Sequence, residues 1–248
     1  MCGRFIIHTP SDDLKLLFEL AETPPAMPAR YNVAPSQPIP VVRLERGERH
    51  LAQLQWGLIP MWMKEPPSPP PINARGETID EKPMYRDAFQ RRRCLIPANG
   101  FYEWMSQEKG RKQPYLIREH NAGAFAMGGV WERWRNPQGA DVETVAIVTT
   151  DANAKLRALH DRMPLILDHD DWTAWLDPKS NLVLVKSLVK PAPDESLTFF
   201  PVSPRVNAVA NDDASLIEEV DPAALAQVET GTQAKSAPKR DDRQLDLF

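Results

Sequence analysis

Residues 94–104 read Cys94-Leu95-Ile96-Pro97-Ala98-Asn99-Gly100-Phe101-Tyr102-Glu103-Trp104. The segment is short, apolar and aromatic, and it lacks helical spacing, so it reads as a β-strand. Alternation along it sets Phe101 and Glu103 on one face and Tyr102 and Trp104 on the other. Working outward, 38–44, 51–58, 114–118, 124–134 and 142–149 read the same way, each bounded by Pro, Gly or Asn. Helical patterns are fewer. One begins at Ser11, with Leu14, Leu17 and Phe18 on one face. A second spans 83–92 with Pro83 in its first turn. A third, capped by Thr150 or Asp151, is expected to run to about His160, and a short fourth follows Asp168, carrying Trp172, Trp175 and Leu176. Strands that outnumber irregularly interleaved helices predict an α+β fold: a single β-rich domain of mainly antiparallel strands with peripheral helices.

The chain has 248 residues, of which 42% are hydrophobic and 26% charged, and 25 prolines against 11 glycines. These values suit a globular protein built from extended segments and argue against a helical bundle. No apolar run approaches a membrane span and the amino terminus lacks a signal-peptide pattern, so no membrane partner is expected. Cys2 and Cys94 are the only cysteines. A reducing, cytosolic setting is therefore the default. No Cys or His pair has metal-ligand spacing, and no cofactor is predicted. The net charge of −4 hides an asymmetry. Residues 84–120 carry eight Lys or Arg against four acids, including Arg91-Arg92-Arg93, whereas 194–221 carry seven acids against Arg205 alone. That permits a local basic face.

Four segments carry chemistry. MCGRF opens the chain. If Met1 is removed, Cys2 presents an α-amine beside a thiol. The amine, with a reference pKa near ~8, is partly uncharged at neutral pH and can form an imine with an aldehyde. The thiol can then close a five-membered thiazolidine. The apolar run Phe5-Ile6-Ile7 could anchor this end as a strand. In the second segment, INARGET at 72–78, Asn73 can orient an amine or aldehyde and Arg75 can hold a phosphate. In the third, Glu103 shares a face with an aromatic ring, which favours desolvation and a raised pKa suited to proton transfer. In the fourth, 160–164, His160 is expected at a helix C-terminus, where the dipole favours its protonated form. Singly, these segments would pass for a frayed terminus, an Asn-Gly turn, a surface glutamate and a helix cap.

Together they resemble the SRAP family, the SOS-response-associated peptidases that include abasic-site crosslinking proteins. The resemblance rests on MCGRF, YNVAP at 31–35, WGLIPMW at 56–62, INARGET, CLIPANGFYEW, ALHDRMP at 158–164 and PVSPRVN at 201–207. In that order these cover about residues 2–210. It implies a positively charged groove for single-stranded DNA, with Cys2 crosslinking to an abasic aldehyde after Met1 removal. It further implies that Asn73 orients the reacting groups, Glu103 moves protons and His160 assists opening of the sugar. Arg4, Arg75, Arg162 and, more weakly, Arg86 occupy motif positions suited to phosphate contacts, and Trp62 could stack on a base. Weak lyase activity would follow from β-elimination at the imine, and peptidase activity from self-removal of Met1. The rivals are an amino-terminal-nucleophile amidohydrolase, whose members also begin Met-Cys-Gly, a Cys2-Glu103-His160 peptidase, and a DNA-binding adaptor without catalysis.

A monomer is expected, with a domain over 1–222 and a disordered tail over 223–248. The tail ends Gln244-Leu245-Asp246-Leu247-Phe248. This matches the pentapeptide with which bacterial replication and repair proteins bind the sliding clamp, Gln244 serving as polar anchor and Leu247 and Phe248 as apolar plugs.

Overall fold

The structure is a computed structural model and describes residues 2–106 and 112–223. Two sheets share the chain. The first has the order β13-β8-β7-β1-β2, formed by Leu197–Pro201, Lys112–Glu119, Gly100–Ser106, Phe5–Ile7 and Arg30–Val33. In the second, β10 (Asp141–Asp151), β4 (Glu48–Trp56), β3 (Pro38–Glu45), β6 (Arg93–Ala98) and β9 (Phe125–Arg135) pair in turn. Because β9 also pairs with β10, the ring closes like a barrel. Three short strands, β5 (Asn73–Arg75), β11 (Arg162–Pro164) and β12 (Ile166–Leu167), extend its rim. Among the described residues, parallel pairing is confined to β10 with β4 and β5 and to one isolated bridge, Leu20 to Arg49, so pairing is mainly antiparallel as expected.

The stretch 94–104 is not one strand. It breaks at Asn99, whose Oδ1 accepts from the backbone N–H of His8 and Thr9 at 2.9 and 3.2 Å. Residues before Asn99 belong to the barrel and residues after it to the other sheet. The β3–β4 hairpin turns on Arg46 and Gly47, with φ of 52° and 92°, the paired positive values of a type I′ turn.

The inner face of the five-stranded sheet packs on the barrel through Phe5, Phe101 and Ile117 within the main core. Its outer face carries a smaller core of Ile6, Tyr102, Leu116, Val202, Val206 and Leu216, covered by the segment after β13. Helix α1 (Ser11–Phe18) buries Leu14 and Phe18, and Phe18 stacks on Trp172 at 4.6 Å. Helix α2 is Arg86–Arg91, so Pro83 precedes it by a turn rather than lying within it. Helix α3 (Trp172–Leu176) buries both its tryptophans, and α4 (Leu182–Ser187) was not legible beforehand. The helix expected to reach His160 is absent. Strand β10 runs on to Asp151, and one 3-10 turn, Leu156–Ala158, follows.

The basic run at 91–93 is not a basic face. Arg93 is buried and donates to the carbonyls of Trp175, Phe89, Gln90 and Asp177 at 2.5–3.0 Å. These carbonyls close the ends of α2 and α3, where the peptide dipoles favour a cation. Arg92 pairs with buried Glu132 at 2.7 Å. That leaves Arg91 in solvent.

Candidate active site

Cys2 lies ahead of β1. The β1–β7 register sets Phe5 against Phe101, and the N–H of Tyr102 donates to the Arg4 carbonyl at 2.9 Å. Continued by one residue, the register brings Gly3 opposite Glu103. The amino-terminal residues and this carboxylate therefore share one end of the sheet. Asn73, first residue of β5, donates from Nδ2 to the Cys2 carbonyl at 3.0 Å. Its Oδ1 is buried and accepts no hydrogen bond from any described residue. A buried amide oxygen without a donor is costly, so this acceptor suits a substrate or amine proton. The Tyr85 hydroxyl donates to the Asn73 carbonyl at 3.2 Å and steadies that residue.

Cys2 has no exposed surface. Burial first, and the charge of Glu103 second, push its thiol well above the ordinary range. Glu103 is 4% exposed. Burial raises its pKa to about 7, against the pull of the positive amino terminus, while Asp161 adds a smaller upward push. The expectation of a desolvated carboxylate beside Phe101 thus holds, since Phe101 is buried in the main core.

His160 departs from expectation. Without a preceding helix there is no dipole to favour the imidazolium. Burial, then the cationic amino terminus, lower its pKa. Its Nδ1 lies 2.9 Å from the Arg162 backbone N–H, which requires an acceptor, and 2.8 Å from Asp161 Oδ1, which would require a donor. The Asp161 side chain is 82% exposed and well screened, so the neutral ring with Nδ1 accepting is the better description. The proton then sits on Nε2.

The five residues expected to meet DNA divide into two groups. Arg75 and Arg86 stand in solvent. Trp62 is 57% exposed and Met61 56%. Their loop is anchored, because Ile59 N–H donates to Thr144 Oγ1 at 3.0 Å and Trp134 Nε1 to the Met63 carbonyl at 2.7 Å. Arg4 and Arg162 instead turn inward. Arg162 is 6% exposed, forks onto Glu77 at 2.7 and 2.8 Å, and also meets Asp151 and the Thr149 carbonyl at 2.8 Å. Arg4 donates to Asn32 Oδ1 at 2.7 Å and to the Val206 carbonyl at 2.8 Å. Asn32, Glu77 and Tyr85 are the supporting residues that sequence reading missed. Asn32 and Glu77 lie inside quoted motifs, which was their only signal.

Among the described residues, no group of three His, Cys, Asp or Glu side chains gathers as a metal would need, and no helix is long and apolar enough to cross a membrane. Both cysteines are free thiols.

The sequence model of the SOS response associated peptidase (SRAP) family matches residues 1–209. The chain is 38% identical over 222 residues to abasic site processing protein YoaM of Bacillus subtilis, covering 88% of this chain and 98% of that one. It is 33% identical over 219 residues to abasic site processing protein HMCES of Xenopus tropicalis, covering 73% of this chain and 63% of that one. A crystal structure of a Bacteroides thetaiotaomicron protein superposes with a TM-score of 0.79 at 25% identity, over 89% of this chain and all of the other. The order of motifs, the two-sheet fold and these matches agree: the chain belongs to the SRAP family.

Proposed function

We propose that the chain, freed of Met1, processes abasic sites in single-stranded DNA by capturing the ring-opened aldehyde as a thiazolidine on Cys2. The relatives' activity in abasic site processing supports the substrate class. The observation that carries the chemistry is the meeting of an amino-terminal cysteine with a buried carboxyl group, Glu103, that titrates near neutrality.

His160 donates a hydrogen bond from Nε2–H to the sugar ring oxygen as the C1′–O4′ bond breaks, and the proton of the C1′ hydroxyl passes through solvent to that oxygen, leaving the aldehyde. Glu103, ionised, takes a proton from the α-amine, which attacks C1′. Glu103 returns a proton as the carbinolamine loses water, giving an iminium ion. The thiol then yields its proton to Glu103 while sulfur bonds to C1′, and the electron pair of the C=N bond returns to nitrogen. One water leaves in all. Asn73 Oδ1 is suited to orient the amine through these steps. The same groups permit reversal, and a slow ring closure would allow β-elimination and strand cleavage instead.

A thiolate that attacks first, as a peptidase or glutaminase requires, is disfavoured where burial and a neighbouring carboxylate both hold the thiol protonated. Arg75 and Arg86 would hold phosphates and Trp62 would stack on a base. Residues 244–248 lie outside the described residues; their pattern supports the sliding clamp as a second partner.

Intact-protein mass spectrometry after incubation with an abasic oligonucleotide tests the reading. A stable adduct lacking one water is expected from the wild type. From Cys2→Ala only a borohydride-trapped imine is expected, and a heat-stable adduct without reductant would reject the assignment. Turnover of glutamine or a peptide library in place of the adduct would favour the hydrolase readings.

A further inference from the structure

Arg4, half-buried, lies two residues from the nucleophile, and its guanidinium bonds to the turn that follows β13. Nη1 donates to the Val206 carbonyl at 2.8 Å and to Asn32 Oδ1 at 2.7 Å, and Nη2 reaches the Asn207 carbonyl at 3.4 Å. Asn32 is fully buried on β2. Its Nδ2 donates to the carbonyls of Val206, Ala208 and Asn211 at 3.1, 3.1 and 2.8 Å. One residue on, Asp212 accepts from the Tyr31 N–H and from Arg30 Nε, both at 2.5 Å. On the other side, Trp104 Nε1 donates to Asn207 Oδ1 at 2.8 Å. Trp104 is the neighbour of Glu103 on β7. The turn 206–212 is thus tied at once to the nucleophile's strand, to β2, and to the strand that carries the proton-transfer group.

We infer that this turn is a buckle, and that Arg4 and Asn32 are positioning residues that hold Cys2 against Glu103 rather than contacts for DNA. The physical need is plain. Strand β1 has three residues, and a free chain end of this length frays unless it is tied down. A reaction that passes protons between the terminal amine, the thiol and one carboxylate loses rate steeply when the groups drift by about 1 Å. A planar guanidinium can serve several acceptors in fixed directions, which a lysine ammonium cannot do in the same geometry. The inference rests on the crosslinking reading of Cys2.

The test uses the full chain with Met1 removed, as wild type, Arg4→Lys, Arg4→Ala, Asn32→Ala and the milder Asp212→Asn. Three quantities are measured: single-turnover crosslinking at saturating abasic DNA, the salt dependence of binding to unmodified single-stranded DNA, and the labelling rate of Cys2 by a disulfide reagent. The Cys2 thiol is buried, so slow labelling is expected of the wild type. Loosening the buckle should raise Cys2 labelling at least tenfold and lower crosslinking at least tenfold, with DNA affinity and its salt slope unchanged. Asp212→Asn should move both rates in the same directions by less, and it serves if the stronger variants unfold by circular dichroism. Wild-type crosslinking and Cys2 labelling in Arg4→Lys or, should that variant unfold, in Asp212→Asn would overturn the inference. So would a salt slope reduced by about one in Arg4→Ala, the mark of a lost phosphate contact. Failure of the wild type itself to crosslink would instead strike at the proposed function, and the labelling measurement would still report on the buckle.

Discussion

Burial gives Glu103 two separate consequences. Folding raises its pKa from 4.5 to about 7, so between those values the folded chain holds a proton that the unfolded chain has released. The stability linked to this proton is complete below the unfolded value and is lost as pH rises through about 7. A shift of this size withholds on the order of 3 kcal/mol at alkaline pH. Glu103→Gln, which cannot titrate, should therefore be more stable than wild type at pH 8 and no more stable at pH 4, by urea denaturation. The same variant should crosslink roughly 10²–10⁴-fold more slowly and lose the rise in rate through pH 7 expected of the wild type. Equal single-turnover rates would remove Glu103 from the chemistry. The burial of Glu103 was legible in advance because a strand's two-residue period is local. The commitments of Arg4 and Arg162 were not. Their partners Asn32 and Glu77 lie 28 and 85 residues away, and no periodicity reports contacts across such distances.

At the level of elements, the site depends on how closely β5 and the 3-10 turn Gly76–Thr78 approach β10. A Cβ on Gly76 would lie 2.2 Å from Val189 Cγ1 and 3.1 Å from the Thr149 carbonyl, the same carbonyl that receives Arg162. A branched side chain and a backbone oxygen cannot both move aside cheaply. Gly76→Ala should cost about 1–3 kcal/mol in urea denaturation, and a change within ±0.5 kcal/mol would show that the contact yields. The long strands were readable from alternation and composition. The helix expected before His160 failed for a tertiary reason. Asn153 accepts from the Leu156 N–H at 2.9 Å and donates to the Ala192 carbonyl at 3.0 Å, which draws the chain into a tight turn. The apolar run Phe5-Ile6-Ile7 made β1 readable, whereas a strand as short as β5 leaves too little pattern to recognise, and the break at Asn99 looks like continuous strand because both halves are apolar.

For the whole molecule, the proposed partner is the sliding clamp, met through residues 244–248. Clamp binding should be lost on deleting 244–248, while crosslinking to naked abasic DNA stays unchanged. Titration of purified clamp with both forms decides the matter, and equal affinity would reject the partner. Tethering would act through local concentration at the replication fork rather than through the chemistry itself.

The place of β1 between β7 and β2 has a consequence in time. The first strand to leave the ribosome is an inner strand of its sheet, and one of its two partners is made about 70 residues after the other, a delay of roughly 3–14 s at ordinary synthesis rates. Through that interval the amino terminus cannot dock on both sides and stays open to methionine aminopeptidase. Afterwards Cys2 is sealed, with no exposed surface. On the proposed reading, loss of Met1 would then fall to the nascent chain. Purified protein that retains Met1 should resist the aminopeptidase when folded and accept it when unfolded, a difference of one methionine on an intact mass spectrum.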